Sequence, residues 1–268
     1  MHPDQIEAYR RDGFVFPIEV FSRAEVEGFR DAFAVLLESS RGYEPKRFDR
    51  LHLFFDWAHQ VVTHKALLDV VEGILGDDIL LMVDINGNYT PDIALESLRA
   101  IEPYRIHWCE EPLPPTDVRG YAELRARSPI PIAAGEAFQT AHTFKRFTDA
   151  RALDILQPGV SACGGFGEAR AIATLAALEN LRISPTGWGG AVTIMAGLHF
   201  AASIPIAPHT DNVPYPILLE FDVGANPLRD RLVEEPIWPS AGGLELPKRP
   251  GLGITLNPDG VAALRVRG

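Results

Sequence analysis

The sequence predicts an α/β protein: an incomplete (β/α) barrel of the TIM type with about six parallel strands, preceded by a mainly helical N-terminal segment. Three observations lead to this. Short apolar stretches each close on a polar, Gly or Pro residue, and five of the six are followed by a helix-patterned run. The closing residues Asp84, Glu110, Glu136, Gly159, Thr186 and Glu220 recur at steps of 26, 26, 23, 27 and 34 residues. A β-then-α unit of that size joins parallel strands by helical crossovers. Residues 1–78 lack the unit, which divides the chain into a helical segment, 1–78, and a barrel part, 79–268.

Taken in order, Gly13-Phe14-Val15-Phe16 reads as a short strand, and Ser22 precedes an amphipathic helix over 23–37. A second helical pattern runs from His64 to Leu75 and stops at Gly76. Strand patterns then cover 79–85, 105–112, 131–136, 153–159, 182–187 and 216–222. Thr90-Pro91 opens the first crossover helix as N-cap and first-turn pair. Further helices are expected near 121–127, 141–147, 168–178 and 193–202. Residues 80–268 number 189. A closed barrel spends about 250 residues on eight units, so roughly six fit here. Six parallel strands leave two open edges, which the N-terminal segment or a second copy of the chain is expected to cover.

Composition narrows the partners. The net charge is −11 with the acidic residues spread along the chain, so no basic face for nucleic acid is visible. The N-terminus is polar and unlike a signal peptide, and no apolar run reaches the ~18 residues of a membrane span. Two cysteines, Cys109 and Cys163, make neither a disulfide framework nor a cysteine zinc site, so a reducing cytoplasm is the expected setting.

The strand ends carry the chemistry. Side chains alternate along a strand, so Asp84 shares a face with Asn86, and Glu110 with Trp108. In a barrel the C-terminal strand ends form the mouth of the active site. Asp84, Glu110 and Glu136 on consecutive strands would there repel one another unless a hard divalent cation joined them. Three carboxylates with waters or substrate oxygens suit octahedral Mg²⁺. Glu-Glu-Pro occurs at both 110–112 and 234–236, so the in-register pattern, rather than the tripeptide, carries the expectation.

The segments VDINGNYTPDIAL, HWCEEPLPP, IPIAAGE, LDILQPGVSACGG and LLEFDVGANPLRD, spread over residues 80–268, resemble the mandelate racemase/muconate lactonizing enzyme branch of the enolase superfamily. The resemblance implies a Mg²⁺-dependent lyase or isomerase that removes the proton next to the carboxylate of a sugar acid. It places the metal on Asp84, Glu110 and Glu136, an acid at Glu220, and substrate contacts at Asn86 and Thr186. It also implies that the usual bases are absent. The His of a His-Asp dyad falls at Thr186 and its Asp at Gly159, while a Lys-X-Lys strand and a capping domain find no counterpart. A hydroxyl without an adjacent base is a poor proton acceptor. A catalytically silent metal-binding scaffold or interaction protein is therefore the alternative.

Residues 1–79, through DQIEAYRRDGFVFP, HLFFDWA and LLDVVEGILGDDILL, resemble the start of phytanoyl-CoA dioxygenase family proteins. That resemblance implies Fe(II) and 2-oxoglutarate. The His-X-Asp at His209-Thr210-Asp211 has no later histidine to complete a triad, so a dioxygenase is the weakest reading.

Overall fold

The computed structural model describes residues 2–12, 15–39, 55–62, 64–67, 69–70, 80–204, 217–240 and 243–265. The chain divides into two compact units, Met1–Leu80 and Leu81–Gly268.

The first unit is helical. Helix α1 spans Pro3–Asp12, α2 spans Arg23–Ser39 and α3 spans Asp56–Val62. Helix α2 opens on a capping box. Glu25 N–H donates to Ser22 Oγ at 3.3 Å, and Ser22 N–H donates back to Glu25 Oε2 at 2.7 Å. Val15 and Phe16 form no strand, whereas Gly13 and Phe14 lie outside the described residues. Of the helix expected over 64–75, residues 65–67 and 69–70 are helical and 71–75 lie outside the described residues.

In the second unit the strands are β1 (Met82–Asp84), β2 (Trp108–Glu110), β3 (Ile132–Ala134), β4 (Ile155–Leu156) and β5 (Arg182–Ile183). They form one sheet in the order β1-β2-β3-β4-β5, every pair parallel. The crossovers are α4 (Pro91–Ile101), α5 (Val118–Arg125), α6 (Thr140–Asp149), then α7 (Val160–Cys163) with α8 (Phe166–Leu178). After β5 come α9 (Ala191–Ser203), α10 (Pro227–Asp230) and α11 (Pro258–Leu264).

A sheet whose neighbours follow chain order never reverses direction, so its crossovers gather on one face and the sheet curls as part of a barrel. Side-chain alternation shows the two faces. Val83, Cys109, Ile132, Ala134, Leu156 and Ile183 pack into the large core with helix residues such as Leu98, Tyr121, Phe147 and Ile172. Met82, Trp108, Ala133, Ile155 and Leu218 form a separate, smaller cluster on the inner face.

The expected sixth strand is not a strand. Residue 216 lies outside the described residues, and 217–222 run alongside β5 without a ladder. Glu220 N–H reaches Pro185 O at a long 3.4 Å, and Ser184 Oγ donates to Leu218 O at 2.9 Å. The reason lies in β5. Ser184 N–H is spent on Leu156 of β4, so the next backbone nitrogen, that of Pro185, faces the sixth segment and carries no hydrogen. The partial barrel therefore has five strands among the described residues.

Candidate active site

The strand ends bring the expected acids to one region from distant parts of the sequence. Asp84 and Glu110 are register partners at the ends of β1 and β2, and Glu110 also pairs with Ala133 of β3. Glu136 stands three residues past Ala133, beyond Gly135. A side chain at 135 would begin 2.8 Å from the carbonyl of Gln157 and 2.7 Å from the Phe144 ring, so glycine alone permits the approach of β3 to β4 there.

Electrostatics confirm the proximity of the acids. Burial raises Glu110 to about 7, aided by the charges of Asp84, Glu220 and Glu136 and opposed by a hydrogen bond from Gln157. Burial likewise raises Glu136, with Glu220 and Asp84 contributing. Desolvation and like charge both disfavour ionisation, and nothing in this group offsets them with a positive charge.

Asp84, Glu110 and Glu220 are each turned towards a donor of their own. Asp84 Oδ1 accepts from the Asn86 N–H at 2.7 Å, and its other oxygen accepts from the Asn86 side-chain amide. Asn86 adopts a positive φ of 47°, which turns the chain back over the strand end. Glu110 Oε2 accepts from Gln157 Nε2 at 2.6 Å. Glu220 Oε2 accepts from the Thr186 hydroxyl and, at 3.1 Å, from Gly187 N–H. The segment carrying Glu220 lies close against β5, since a Cβ at Gly187 would fall 2.1 Å from Glu220 O. As a result, no three His, Cys, Asp or Glu side chains among the described residues are gathered closely enough to hold a metal ion as they stand.

The donor chemistry nonetheless fits a hard cation. Asp84 and Glu110 carry carboxylates on adjacent strand ends, Glu136 carries a third just past β3, and the charges of Asp84 and Glu136 favour the protonated form of Glu110. Two further polar groups lie behind them. Gln157 Oε1 and Glu111 Oε1 are buried without a hydrogen-bond partner. Burial, with Glu136 and Asp84, raises Glu111 to about 7.

Neither Gln157 nor Glu111 was marked by sequence reasoning. Gln157 lies two residues past Ile155, so inner-face parity on the fourth strand could have found it. Glu111 could not be found that way, because parity points it away from the mouth; a positive φ of 39° redirects it. No lysine stands at a strand end among the described residues, and Lys65 and Lys145 pair with Asp69 and Asp149 on helices. His209, Thr210 and Asp211 lie outside the described residues.

Comparisons with known proteins agree with this architecture. The family described as enolase C-terminal domain-like matches residues 38–260. That match starts well before residue 79, inside the segment likened to a dioxygenase, and these comparisons lend the dioxygenase resemblance no support. The chain is 38% identical over 200 residues to D-galactarolactone cycloisomerase of Agrobacterium fabrum, covering 75% of this chain and 53% of that protein. The crystal structure of 3,6-anhydro-D-galactonate cycloisomerase from Zobellia galactanivorans superimposes with a TM-score of 0.64 at 36% identity, over 74% of this chain and 54% of that one. A racemase from Streptomyces coelicolor A3(2), solved with bound magnesium, does so with a TM-score of 0.61 at 30% identity, over 74% of this chain and 50% of that one. The chain thus spans about half the length of the curated relatives it matches. With a parallel, chain-ordered sheet, acids at successive strand ends and a family match across most of its length, this chain belongs to the enolase C-terminal domain-like family.

Proposed function

We propose that the strand-end acids form the metal-binding half of a Mg²⁺-dependent lyase or isomerase site for a sugar acid. Asp84, Glu110 and Glu136 would hold the ion, which when bound supplies positive charge to a developing enediolate. The observation that carries this reading is the shared electrostatic environment of Asp84, Glu110, Glu136 and Glu220, drawn from strand ends far apart in sequence. The named relatives, a galactarolactone and an anhydrogalactonate cycloisomerase, support a sugar-acid substrate.

In this reading Glu220 presents an acid to the substrate, oriented by the Thr186 hydroxyl and Gly187 N–H. Asn86, hydrogen-bonded to Asp84, lies beside the metal ligands and contacts substrate hydroxyls. Residues 79–268 constitute the site-bearing part and 1–78 a separate helical part. Pairing of two chains through the exposed edges of the sheet would satisfy their backbone groups. Two buried free thiols suit a reducing cytoplasm.

A second reading, the silent metal-binding scaffold, is favoured by one observation. The Thr186 hydroxyl is engaged with Glu220, and neighbouring position 159 is a glycine whose Cβ would fall 2.8 Å from the Thr186 methyl, so neither of these two positions supplies a base. One pair of experiments tests both. Mg²⁺ should raise the thermal midpoint of the full chain, and the double substitution Asp84→Asn, Glu136→Gln should abolish that rise. Deuterium exchange at the α-carbon of sugar acids in D₂O then separates the two: exchange supports the enzyme, and a metal-dependent midpoint with no exchange across a broad panel supports the scaffold. A midpoint indifferent to Mg²⁺ would falsify the metal site itself.

A further inference from the structure

Gln157 occupies the end of the fourth strand, two residues beyond Ile155 of the inner-face cluster. It is 4% exposed. Its Nε2 donates to Glu110 Oε2 at 2.6 Å, while its Oε1 is buried without a partner. The backbone of Gln157 is held from the other side. Its N–H donates to Ala134 O at 3.0 Å, and its carbonyl sits where a Cβ on Gly135 would fall, 2.8 Å away. One residue is therefore fixed by main chain to the position just before Glu136 and by side chain to Glu110.

A merely structural role does not account for this amide. A buried polar group with an unsatisfied oxygen costs stability, and a methionine or leucine would fill the same space without leaving that oxygen bare. Charge explains why the donor is an amide. A lysine would compete with a cation for the carboxylates, and another acid in place of Gln157 would set a like charge directly against Glu110. An amide donates a strong hydrogen bond to a carboxylate and leaves the net charge unchanged.

We propose that Gln157 is a positioning residue that sets Glu110 against Glu136, and so fixes the spacing of two of the acids that would hold Mg²⁺; this rests on the metal reading given above. Outer groups that orient metal ligands typically change metal affinity by about ten- to a hundredfold when removed.

The test has two arms, both on the full chain. In metal-free protein labelled with ¹⁵N, the Gln157 side-chain amide should be protected from hydrogen exchange, and Glu110→Ala should remove that protection. By calorimetry, Gln157→Met should bind Mg²⁺ about ten- to a hundredfold more weakly than wild type, with a metal-free thermal midpoint equal to or above wild type. Gln157→Leu repeats the second arm if the methionine variant does not fold. An amide that exchanges freely overturns the inference. So does a lowered metal-free midpoint with unchanged Mg²⁺ affinity, which is what a structural role predicts. Wild-type protein that binds no Mg²⁺ sinks the metal reading, and the exchange arm then decides by itself whether Gln157 holds Glu110.

Discussion

Helices α2 and α6 are both amphipathic, yet they end in opposite environments. Helix α2, with 17 residues, buries none of them, and Phe33 is 36% exposed. Helix α6, with 10 residues, fully buries Phe144 and Phe147, the latter edge-on to Tyr121. An apolar stripe is a capacity for burial, and the surface it meets determines how much is realised. The crossover helices lie on a sheet whose outer side chains are all apolar. Fully burying a large apolar side chain contributes about 1.5–3 kcal/mol, and the second unit gains this repeatedly.

The carboxylates of the two units differ in the same way. Exposed Glu25 is pulled down to about 2, mainly by the Ser22 hydroxyl, with the Ser22 backbone and His64 assisting. Glu110 is pushed up to about 7 by burial among other acids. Local hydrogen bonding decides the first, and a tertiary cluster decides the second.

The sharpest way to break this comparison is by truncation. Phe147→Ala should cost about 3–5 kcal/mol in denaturant unfolding, and Phe33→Ala less than about 1. Equal losses would show that the first unit holds a core of similar weight. Next comes Arg229, which is 1% exposed, pairs with Asp230, donates to Asp222 O and Gly224 O, and lies 4.2 Å over Trp238. Arg229→Met should lower stability by about 1–3 kcal/mol, because it removes the hydrogen bonds that the buried guanidinium makes to Asp222 O, Gly224 O and Asp230. Arg229→Lys should recover little of that loss, since an ammonium cannot reproduce the fork. In the first unit Arg23, exposed in its pair with Glu27, can be replaced by Ala with no measurable shift in midpoint.

A pH series sharpens the comparison further. Between its ordinary 4.5 and about 7 the folded protein holds Glu110 protonated more than the unfolded chain does. The stability this group contributes is therefore full below about pH 4.5 and is lost as pH rises towards 7, by about 3 kcal/mol at most. Metal-free Glu110→Gln should flatten that slope relative to wild type in urea midpoints measured across the range. Glu25 has the opposite sign: its contribution is present above 4.5 and is lost as pH falls towards 2. A small effect is expected at the cap, where Ser22→Ala should cost about 1 kcal/mol or less of helix stability, read by circular dichroism of the full chain.

Much of this was legible in the residues. The 26-residue spacing placed β1, β2 and β3, with Asp84 and Glu110 at the ends of the first two and Glu136 two residues past the third, because a crossover of that length returns each strand beside the last. The ends of the later strands were less legible. Pro185 offers the sixth segment no backbone N–H, a detail of backbone direction that an apolar pattern such as ILLEF does not carry. Glu111 escaped because its positive φ breaks the alternation used to assign faces.

By itself the sequence determined which side chains reach which face within the regular strands and helices, since strand alternation and helix period are local consequences of backbone geometry. Only the tertiary structure decided how those side chains are held: Asp84 on Asn86, Glu110 on Gln157, Glu220 on Thr186. The last two contacts join residues 47 and 34 positions apart. They depend on how closely neighbouring strand ends approach, and that distance is set by the packing of the whole sheet.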